Sequence, residues 1–269
     1  MNDRPSAEVV REFGWAGEPQ RLAGGEGRTW RVEQTIFKQV DPVNAEFEAA
    51  LALSLPQVGY RLAKPRRTTG GTWTLDGWAA YTFLPGECFP GEHLEEKLAA
   101  SRSFHRDLGT VPCSTHLDDM QCPWTIAQHI AFGKHPWEAD QRIATLLRSF
   151  SSLNRASLDT WQIVHADIAG NFLLEQGKAP AIIDLTLKWS PAGFAEAVMA
   201  VDVSVWEGVP LQKVLPLLHP QEAKFVPLAA MRRILEMDTL CRIGGRPESI
   251  FDQVPHYEAF AAQYATYVK

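Results

Sequence analysis

The sequence lacks any long apolar run, and no stretch approaches the roughly 20 residues that a membrane-spanning helix needs. Its beginning also lacks the apolar core of a signal peptide. These two absences argue against a membrane protein and a secreted one. We therefore expect a protein of the cytoplasm with no membrane partner.

Cysteine is scarce, and positive charge is not in excess. The 4 cysteines show neither the close spacing of a metal site nor a redox pair, so reduced thiols are expected. The net charge of -6 argues against broad binding of nucleic acid. Repeats and low-complexity tracts are absent too. We expect a monomer or weak dimer without a nucleic-acid partner.

The sequence does have the length and composition of a globular protein with a sizeable core. It has 269 residues, of which 45% are hydrophobic and 22% are charged. That length exceeds the usual size of one domain. Proline and glycine cluster between residues 84 and 91, so we predict a division there into lobes 1–86 and 87–269.

Segment 163–174, followed by 181–184, carries the strongest functional signal. Two apolar runs bracket a polar loop with His165, Asp167 and Asn171, and the next apolar run ends in Asp184. Phosphoryl transfer from ATP needs an Asp that orients the acceptor hydroxyl and oxygen ligands that hold magnesium from two sides. This segment supplies all of these groups in one short stretch.

The segment resembles the aminoglycoside phosphotransferase and choline kinase group, whose fold is protein-kinase-like. In that group the loop reads roughly His-Gly-Asp-x-x-x-x-Asn, and a strand ending in Ile-Asp follows. The resemblance implies that Asp167 and Asn171 are catalytic, that Asn171 and Asp184 bind the metal, and that ATP and Mg²⁺ are the cofactors. It implies a nucleotide-binding lobe 1–86 and a catalytic, substrate-binding lobe 87–269.

Two departures separate the chain from that pattern. Ala166 stands where the family has Gly. Three residues separate Asp167 from Asn171, whereas the family pattern has four. The arrangement looks most like a mainly actinobacterial branch of the superfamily. There Asp-x-Ala-Gly-Asn is followed, after the metal-binding Asp, by a segment with Trp, which residues 189–192 match.

The amino-terminal part supplies the order of elements that a kinase needs. Gly24, Gly25 and Gly27 can form a turn whose amides approach phosphates, although ordinary hairpins also contain such clusters. Lys38 lies in the next apolar strand, an unusual place for a solvated lysine, and would bind the α- and β-phosphates. We predict a cofactor-binding role for all four residues.

A helix over 44–55 should carry a glutamate that pairs with Lys38, and Asn44 could cap it. Glu46 and Glu48 are both available; helical spacing to the leucines that follow favours Glu48. The strand over 78–84 leads into the hinge in the resembled family. We therefore expect the edge of adenine near backbone groups of the cofactor-binding residues Tyr81, Thr82 and Phe83.

The remaining pattern predicts the α+β class: a small antiparallel sheet lobe followed by a larger, mainly helical lobe, as in the resembled fold. Segments 62–68 and 72–75 read as a hairpin. The candidate helices of the second lobe cover 92–108, 124–131, 138–153, 194–206, 211–218, 223–241 and 256–268.

His105-Arg106-Asp107-Leu108 spells the protein-kinase catalytic signature by coincidence. The Asn that should follow Asp107 at five residues is absent, and His105 falls on the apolar face of a predicted helix. We therefore assign His105 a structural role. Asp202, on the helix after the metal-binding segment, either stabilises the catalytic loop or lies on the surface.

The sequence thus indicates an ATP- and magnesium-dependent phosphotransferase that acts on a hydroxyl of a small molecule. This interpretation requires that Lys38, Asp167 and Asp184 converge around a bound triphosphate. Two alternatives stay open: a nucleotide-binding pseudokinase with a regulatory role, and a kinase-fold enzyme that modifies protein side chains or transfers a nucleotidyl group. The sequence does not identify the acceptor.

Overall fold

The computed structural model describes residues 4–22, 29–118, 122–158 and 160–268. The chain forms two compact units, one of residues 1–88 and 171–185, the other of residues 89–170 and 186–269. The fold class is the predicted one, α+β, with an antiparallel sheet in the first unit and a mainly helical second unit. The contacts add residues 171–185 to the first unit, and the functional division between residues 86 and 87 stays a prediction.

The elements of the first unit, labelled in chain order, are α1 (Ala7–Glu12), β1 (Gln20–Arg21), β2 (Thr29–Val32), β3 (Thr35–Gln39), α2 (Pro42–Ser54), β4 (Arg61–Leu62), β5 (Pro65–Arg66), β6 (Thr74–Leu75), β7 (Trp78–Thr82), β9 (Phe172–Leu173) and β10 (Ala181–Ile182). The main sheet has the order β1-β2-β3-β7-β5, and β6 also pairs with β7. A second, small sheet has the order β4-β10-β9.

The core of the first unit lies on one face of the main sheet, against α1. Phe37 of β3 is fully buried and packs edge-to-face against Phe13, with ring centroids 5.7 Å apart. The same cluster holds apolar side chains from α1, β2 and β7, namely Val9, Val10, Val32, Trp78 and Ala80. Alternation of buried and less buried positions along β3 explains why this segment forms a strand.

Two local predictions were wrong in this unit. The cap of α2 is Asp41, whose side chain accepts from the amide of Val43, and Pro42 begins the helix where its missing N–H costs nothing. The amide of Thr68 donates to the carbonyl of Thr72 at 2.9 Å, but segments 62–68 and 72–75 form no strand ladder with each other. Strands β5 and β6 both pair with β7, because β3 occupies only one edge of β7: β5 lies opposite Ala80 and Tyr81, and β6 lies opposite Trp78 and Ala79.

The elements of the second unit are α3 (Leu94–Leu108), α4 (Pro123–Ala131), α5 (Gln141–Leu153), β8 (Trp161–His165), β11 (Leu187–Pro191), α6 (Phe194–Val205), α7 (Leu211–Val214), α8 (Pro220–Ala223), α9 (Val226–Arg242) and α10 (Val254–Tyr267). Short 3₁₀ turns cover Thr115–Asp118, Leu215–Leu217 and Glu248–Gln253. The predicted helix over 223–241 corresponds to α9, and its first residue instead ends the short helix α8.

Helix α9 occupies the centre of the second unit and packs against α4, α5 and α6. Its buried residues include charged ones as well as apolar ones. Strand β8 pairs with β11 in an antiparallel ladder that runs from His165 opposite Leu187 to Trp161 opposite Pro191. This ladder fixes the start of the polar loop that follows His165. In the described part of the chain, no helix is both long and apolar enough to cross a membrane.

Replacing Phe37 by Ala should lower the free energy of unfolding by about 3–5 kcal/mol, because the lost ring leaves a cavity in the core of the first unit. Urea unfolding followed by tryptophan fluorescence measures the change. The control is Leu53→Ala, at a position of α2 whose side chain is 60% exposed, which should change stability by less than about 0.5 kcal/mol. Equal effects of the two variants would contradict this description of the core.

Candidate active site

An ion pair in the first unit joins two of the predicted site residues. The Nζ atom of Lys38, on β3, donates to Oδ1 of Asp184 at 2.9 Å, although the two residues are 146 positions apart in the chain. Lys38 lies opposite Ala79 of β7, and Asp184 follows the end of β10. About half of the Asp184 side chain is exposed, so its carboxylate is accessible to a ligand.

Asp184 has a backbone φ of +54°, in the left-handed region that few residues other than glycine adopt. Asp tolerates this conformation better than most residues, and such backbone geometry concentrates at functional sites. The ladder between β9 and β10 brings Asn171 to the same place, since the amide of Ile183 donates to the carbonyl of Asn171 at 3.0 Å. An amide and a carboxylate side chain thus leave the ends of two paired strands.

Glu48 belongs to the same group of residues, but its pairing differs from our expectation. We expected it to pair directly with Lys38, whose ion-pair partner is instead Asp184. The carboxylate of Glu48 accepts a hydrogen bond from the hydroxyl of Tyr81 at 3.1 Å. Glu46 is exposed on α2, so Glu48 is the glutamate that faces this group.

Burial raises the pKa of the Glu48 carboxyl from 4.5 to about 7, and the nearby charge of Asp184 acts in the same direction. The hydrogen bond from Tyr81 and the charge of Lys38 only partly oppose that rise. Burial and the proximity of Glu48 also raise the pKa of the Tyr81 hydroxyl. The buried Glu48 carboxyl therefore resists ionisation more than an exposed glutamate does.

Two of the backbone amides in the predicted adenine-binding segment 81–83 are already hydrogen-bonded within the protein. The amide of Thr82 donates to the carbonyl of Lys64, and the amide of Phe83 donates to the carbonyl of Gln34, both at 2.8 Å. In this conformation neither amide is available to adenine. Nucleotide recognition at residues 81–83, which stays a prediction, would have to use other backbone groups. Gly24, Gly25 and Gly27 lie outside the described residues.

Asp167 lies in the second unit, on the loop after β8, and about half of its side chain is exposed. Its Oδ1 accepts a hydrogen bond from Nη2 of Arg233, on α9, at 2.6 Å. Burial raises the pKa of the Asp167 carboxyl, but the charge and hydrogen bond of Arg233 lower it more, helped by Arg232 and His165. The carboxyl is therefore ionised at neutral pH.

Arg233 is itself held by two further carboxylates. Nε of Arg233 donates to Asp202 of α6 at 2.9 Å, and Nη2 donates to the same carboxylate. Nη1 of Arg233 donates to Glu236 at 2.9 Å. Asp202 is buried and supports the loop through Arg233, so the reading of Asp202 as a surface carboxylate is wrong. Burial raises the pKa of Asp202 to about 6 against the opposing effect of Arg233.

A buried group on α3 holds the start of the same loop. Nε2 of His105 accepts from the amide of His165 at 3.0 Å, and Nδ1 of His105 lies 2.6 Å from Oε1 of Glu196. Because Nε2 accepts, the proton resides on Nδ1, which donates to Glu196. Ser101 donates to the same carboxylate oxygen at 2.7 Å. His105 thus has the structural role predicted for it.

Burial raises the pKa of Glu196, but the interactions with His105 and Ser101 outweigh burial and lower it to about 2. The carboxylate therefore remains ionised and keeps the proton on Nδ1 of His105. On the loop itself, the amide of Asp167 donates to Nδ1 of His165 at 3.2 Å. The backbone on both sides of Ala166 is fixed by these imidazoles.

Sequence reasoning missed Arg232, Arg233 and Glu236. The signal that could have revealed them is the run Arg-Arg-Ile-Leu-Glu inside an otherwise apolar helical segment. A glutamate three and four residues after two arginines lies on the same side of a helix. Charged residues in a buried helix need partners, so this run marks a buried ionic network.

Comparison with known proteins identifies the fold. No protein-family model and no curated protein matches the chain. Among solved structures, a microcompartment-associated aminopropanol kinase matches with a TM-score of 0.70 at 13% identity, over 97% of this chain and 96% of that one. A thermostable mutant of aminoglycoside phosphotransferase APH(4)-Ia, in a ternary complex with AMP-PNP and hygromycin B, matches with a TM-score of 0.60 at 11% identity, over 96% and 98%.

A third solved structure, a choline/ethanolamine kinase family protein from Mesorhizobium loti, matches with a TM-score of 0.59 at 14% identity, over 93% of this chain and 89% of that one. The chain therefore has the fold of the aminoglycoside phosphotransferase and choline kinase group, as the loop residues predicted. At these identities the likeness extends to the fold alone.

Replacing Glu48 by Gln should stabilise the protein above pH 7 by on the order of 2–3 kcal/mol, because Gln accepts from Tyr81 without ionising. Because the pKa of the Glu48 carboxyl is raised in the folded state, the native protein loses stability as pH rises from 4.5 to about 7. The advantage of the variant should disappear below pH 4.5, where the acid is protonated in both folded and unfolded chains. Urea unfolding at pH 4, 6 and 8 measures this.

The matched control is Glu46→Gln on the exposed side of the same helix, which should show no such trend with pH. A pH-independent effect of Glu48→Gln would contradict the raised pKa.

Proposed function

We propose that the chain is a cytoplasmic phosphotransferase that uses ATP and magnesium to phosphorylate a hydroxyl of a small molecule. The matching solved structures are small-molecule kinases, which supports the general class. The observation that carries the proposal is the ion pair between Lys38 and Asp184. A strand lysine can bind phosphates and a carboxylate can bind a metal ion, and this contact brings the two groups together.

The donor set of the first unit fits a magnesium ion that enters with a nucleotide. Magnesium prefers oxygen ligands and is usually held by one or two carboxylates together with substrate phosphates. Asp184 and Asn171 offer a carboxylate and an amide oxygen, and they would hold the ion. When bound, the ion neutralises phosphate charge. Lys38 would bind the α- and β-phosphates, and Gly24, Gly25 and Gly27 would cover them.

Asp167 would orient the acceptor. The hydroxyl oxygen of the acceptor forms a bond to the γ-phosphorus, and the bond between that phosphorus and the β,γ-bridging oxygen breaks. ADP leaves with the electron pair of the broken bond, and the hydroxyl proton passes to Asp167 and then to water. Because Asp167 is ionised and half-exposed, it can accept a hydrogen bond from the acceptor hydroxyl.

A regulatory, nucleotide-binding protein without turnover is the second candidate. The observation that favours it is the ion pair between Asp167 and Arg233, which engages the carboxylate that the reaction needs. The two candidates differ in one measurement. Incubating a metabolite extract with the protein and isotope-labelled ATP should yield a labelled small molecule, detected by mass spectrometry. Nucleotide binding with no labelled product would favour the regulatory protein.

Replacing Asp167 by Asn should lower kcat by about 10²–10⁴-fold, because the amide no longer accepts the hydroxyl proton, while nucleotide affinity is retained. The matched control is Asp107→Asn, since Asp107 stands in the other His-x-Asp sequence of the chain, on helix α3. Turnover by each variant is measured with the acceptor from the labelling experiment. Normal turnover of Asp167→Asn would remove this residue from the mechanism.

Replacing Asp184 by Asn should abolish the dependence of nucleotide affinity on magnesium, because a neutral amide holds the ion poorly. Calorimetric titration with a non-hydrolysable ATP analogue, with and without magnesium, measures the effect. Asp76→Asn is the control, since Asp76 also has a positive φ, of 50°, but lies exposed in the turn between β6 and β7. Unchanged magnesium dependence in Asp184→Asn would contradict its assignment.

A further inference from the structure

We propose that Arg233 is a positioning residue for Asp167, and that α9 sets the direction in which the loop presents this carboxylate to the acceptor. The inference rests on the proposed function, because it assigns the orienting role to Asp167. It adds a second element to the acceptor site, since the sequence motif contains neither Arg233 nor its neighbours.

Two consecutive arginines of α9 contact two consecutive residues of the loop. Arg232 donates through Nη1 to the carbonyl of Ala166 at 2.6 Å, and Arg233 donates through Nη2 to Asp167 at 2.6 Å. One contact fixes the backbone and the other fixes the side chain. The helix therefore determines both the position of the loop and the rotamer of Asp167.

Glu236, one helical turn later, joins the two arginines. Its Oε1 lies 2.6 Å from Nη2 of Arg232, and its Oε2 lies 2.9 Å from Nη1 of Arg233. Asp202 binds Arg233 through Nε and Nη2. The guanidinium is therefore held by two buried carboxylates from α6 and α9. Its orientation does not depend on Asp167, so Arg233 acts as the fixed partner.

The charged groups around Asp167 indicate that this carboxylate orients the acceptor hydroxyl rather than acting as a strong base. Arg232 and Arg233 from α9 and His165 from β8 act on it, and Asp202 and Glu236 pair with the arginines. The arginines favour its ionised form. Phosphoryl transfer with a loose transition state needs little base strength, but it needs an accurately placed nucleophile. An arginine that fixes the carboxylate serves that need.

The test compares a charge-balanced double variant with a conservative single one. Arg233→Gln combined with Asp202→Asn removes one positive and one negative buried charge together, so the remaining network stays compensated. We expect the pKa of Asp167 to rise by about one to three units. We also expect kcat to fall by about 10²-fold with unchanged KM for the nucleotide, because the carboxylate is misplaced.

Arg233→Lys retains the positive charge but loses the planar fork. In this variant the pKa of Asp167 should stay low while kcat falls, which separates orientation from charge. Full activity of Arg233→Lys would overturn the positioning role. The control is Arg242→Gln on the same helix, since Arg242 pairs with Asp238 and the carbonyl of Glu138. It should leave kcat and the pKa of Asp167 unchanged.

The pKa of Asp167 is read by NMR of protein labelled with ¹³C at aspartate carboxyls, and kcat/KM is measured against pH. The NMR readout needs no turnover. An unchanged pKa and kcat in the folded double variant would overturn the role of Arg233 whatever the substrate. A wild-type protein that transfers no phosphate, but whose Asp167 responds as expected, would instead count against the proposed function.

Discussion

Arg232 and Arg233 remain charged in the interior of the second unit, and the side chains around the loop after β8 have to compensate these charges. A buried guanidinium without a carboxylate partner costs several kcal/mol. Glu236 and Asp202 supply those partners. Nε2 of His105 also accepts from the amide of His165. The loop is thus held by directional hydrogen bonds from α3 and α9, which apolar packing alone would not provide.

The parts that could be predicted from the sequence are those with a local chemical signature. Lys38 stands out because a lysine inside an apolar strand has no reason to be there except to bind a partner, and its contact with Asp184 agrees with that reasoning. The α+β class followed from the order of strand and helix patterns. His105 could be assigned a structural role because it falls on the apolar face of a predicted helix.

The parts that could not be predicted depend on burial by elements distant in the chain. Helical spacing predicted the correct side of α2 for Glu48, but only the structure shows that its partner is Tyr81 and that Lys38 pairs with Asp184. Strand partners were wrong at 62–75 because short strands carry no information on which neighbour they pair with. The run that contains Arg233 could have indicated a buried ion pair with Glu236, but not its contact with Asp167, since Asp202 and Asp167 come from α6 and the loop after β8.

Residues 171–185 complete the first unit although they follow 82 residues of the second in the chain, from 89 to 170. Strand β10 pairs in parallel with β4, and Leu174 exchanges backbone hydrogen bonds with Glu87. A fragment ending at Cys88 would therefore expose the edge of β4 and lack Asp184. An autonomous version of this unit has to be built by joining the two stretches through a linker, so the first unit is a discontinuous folding module.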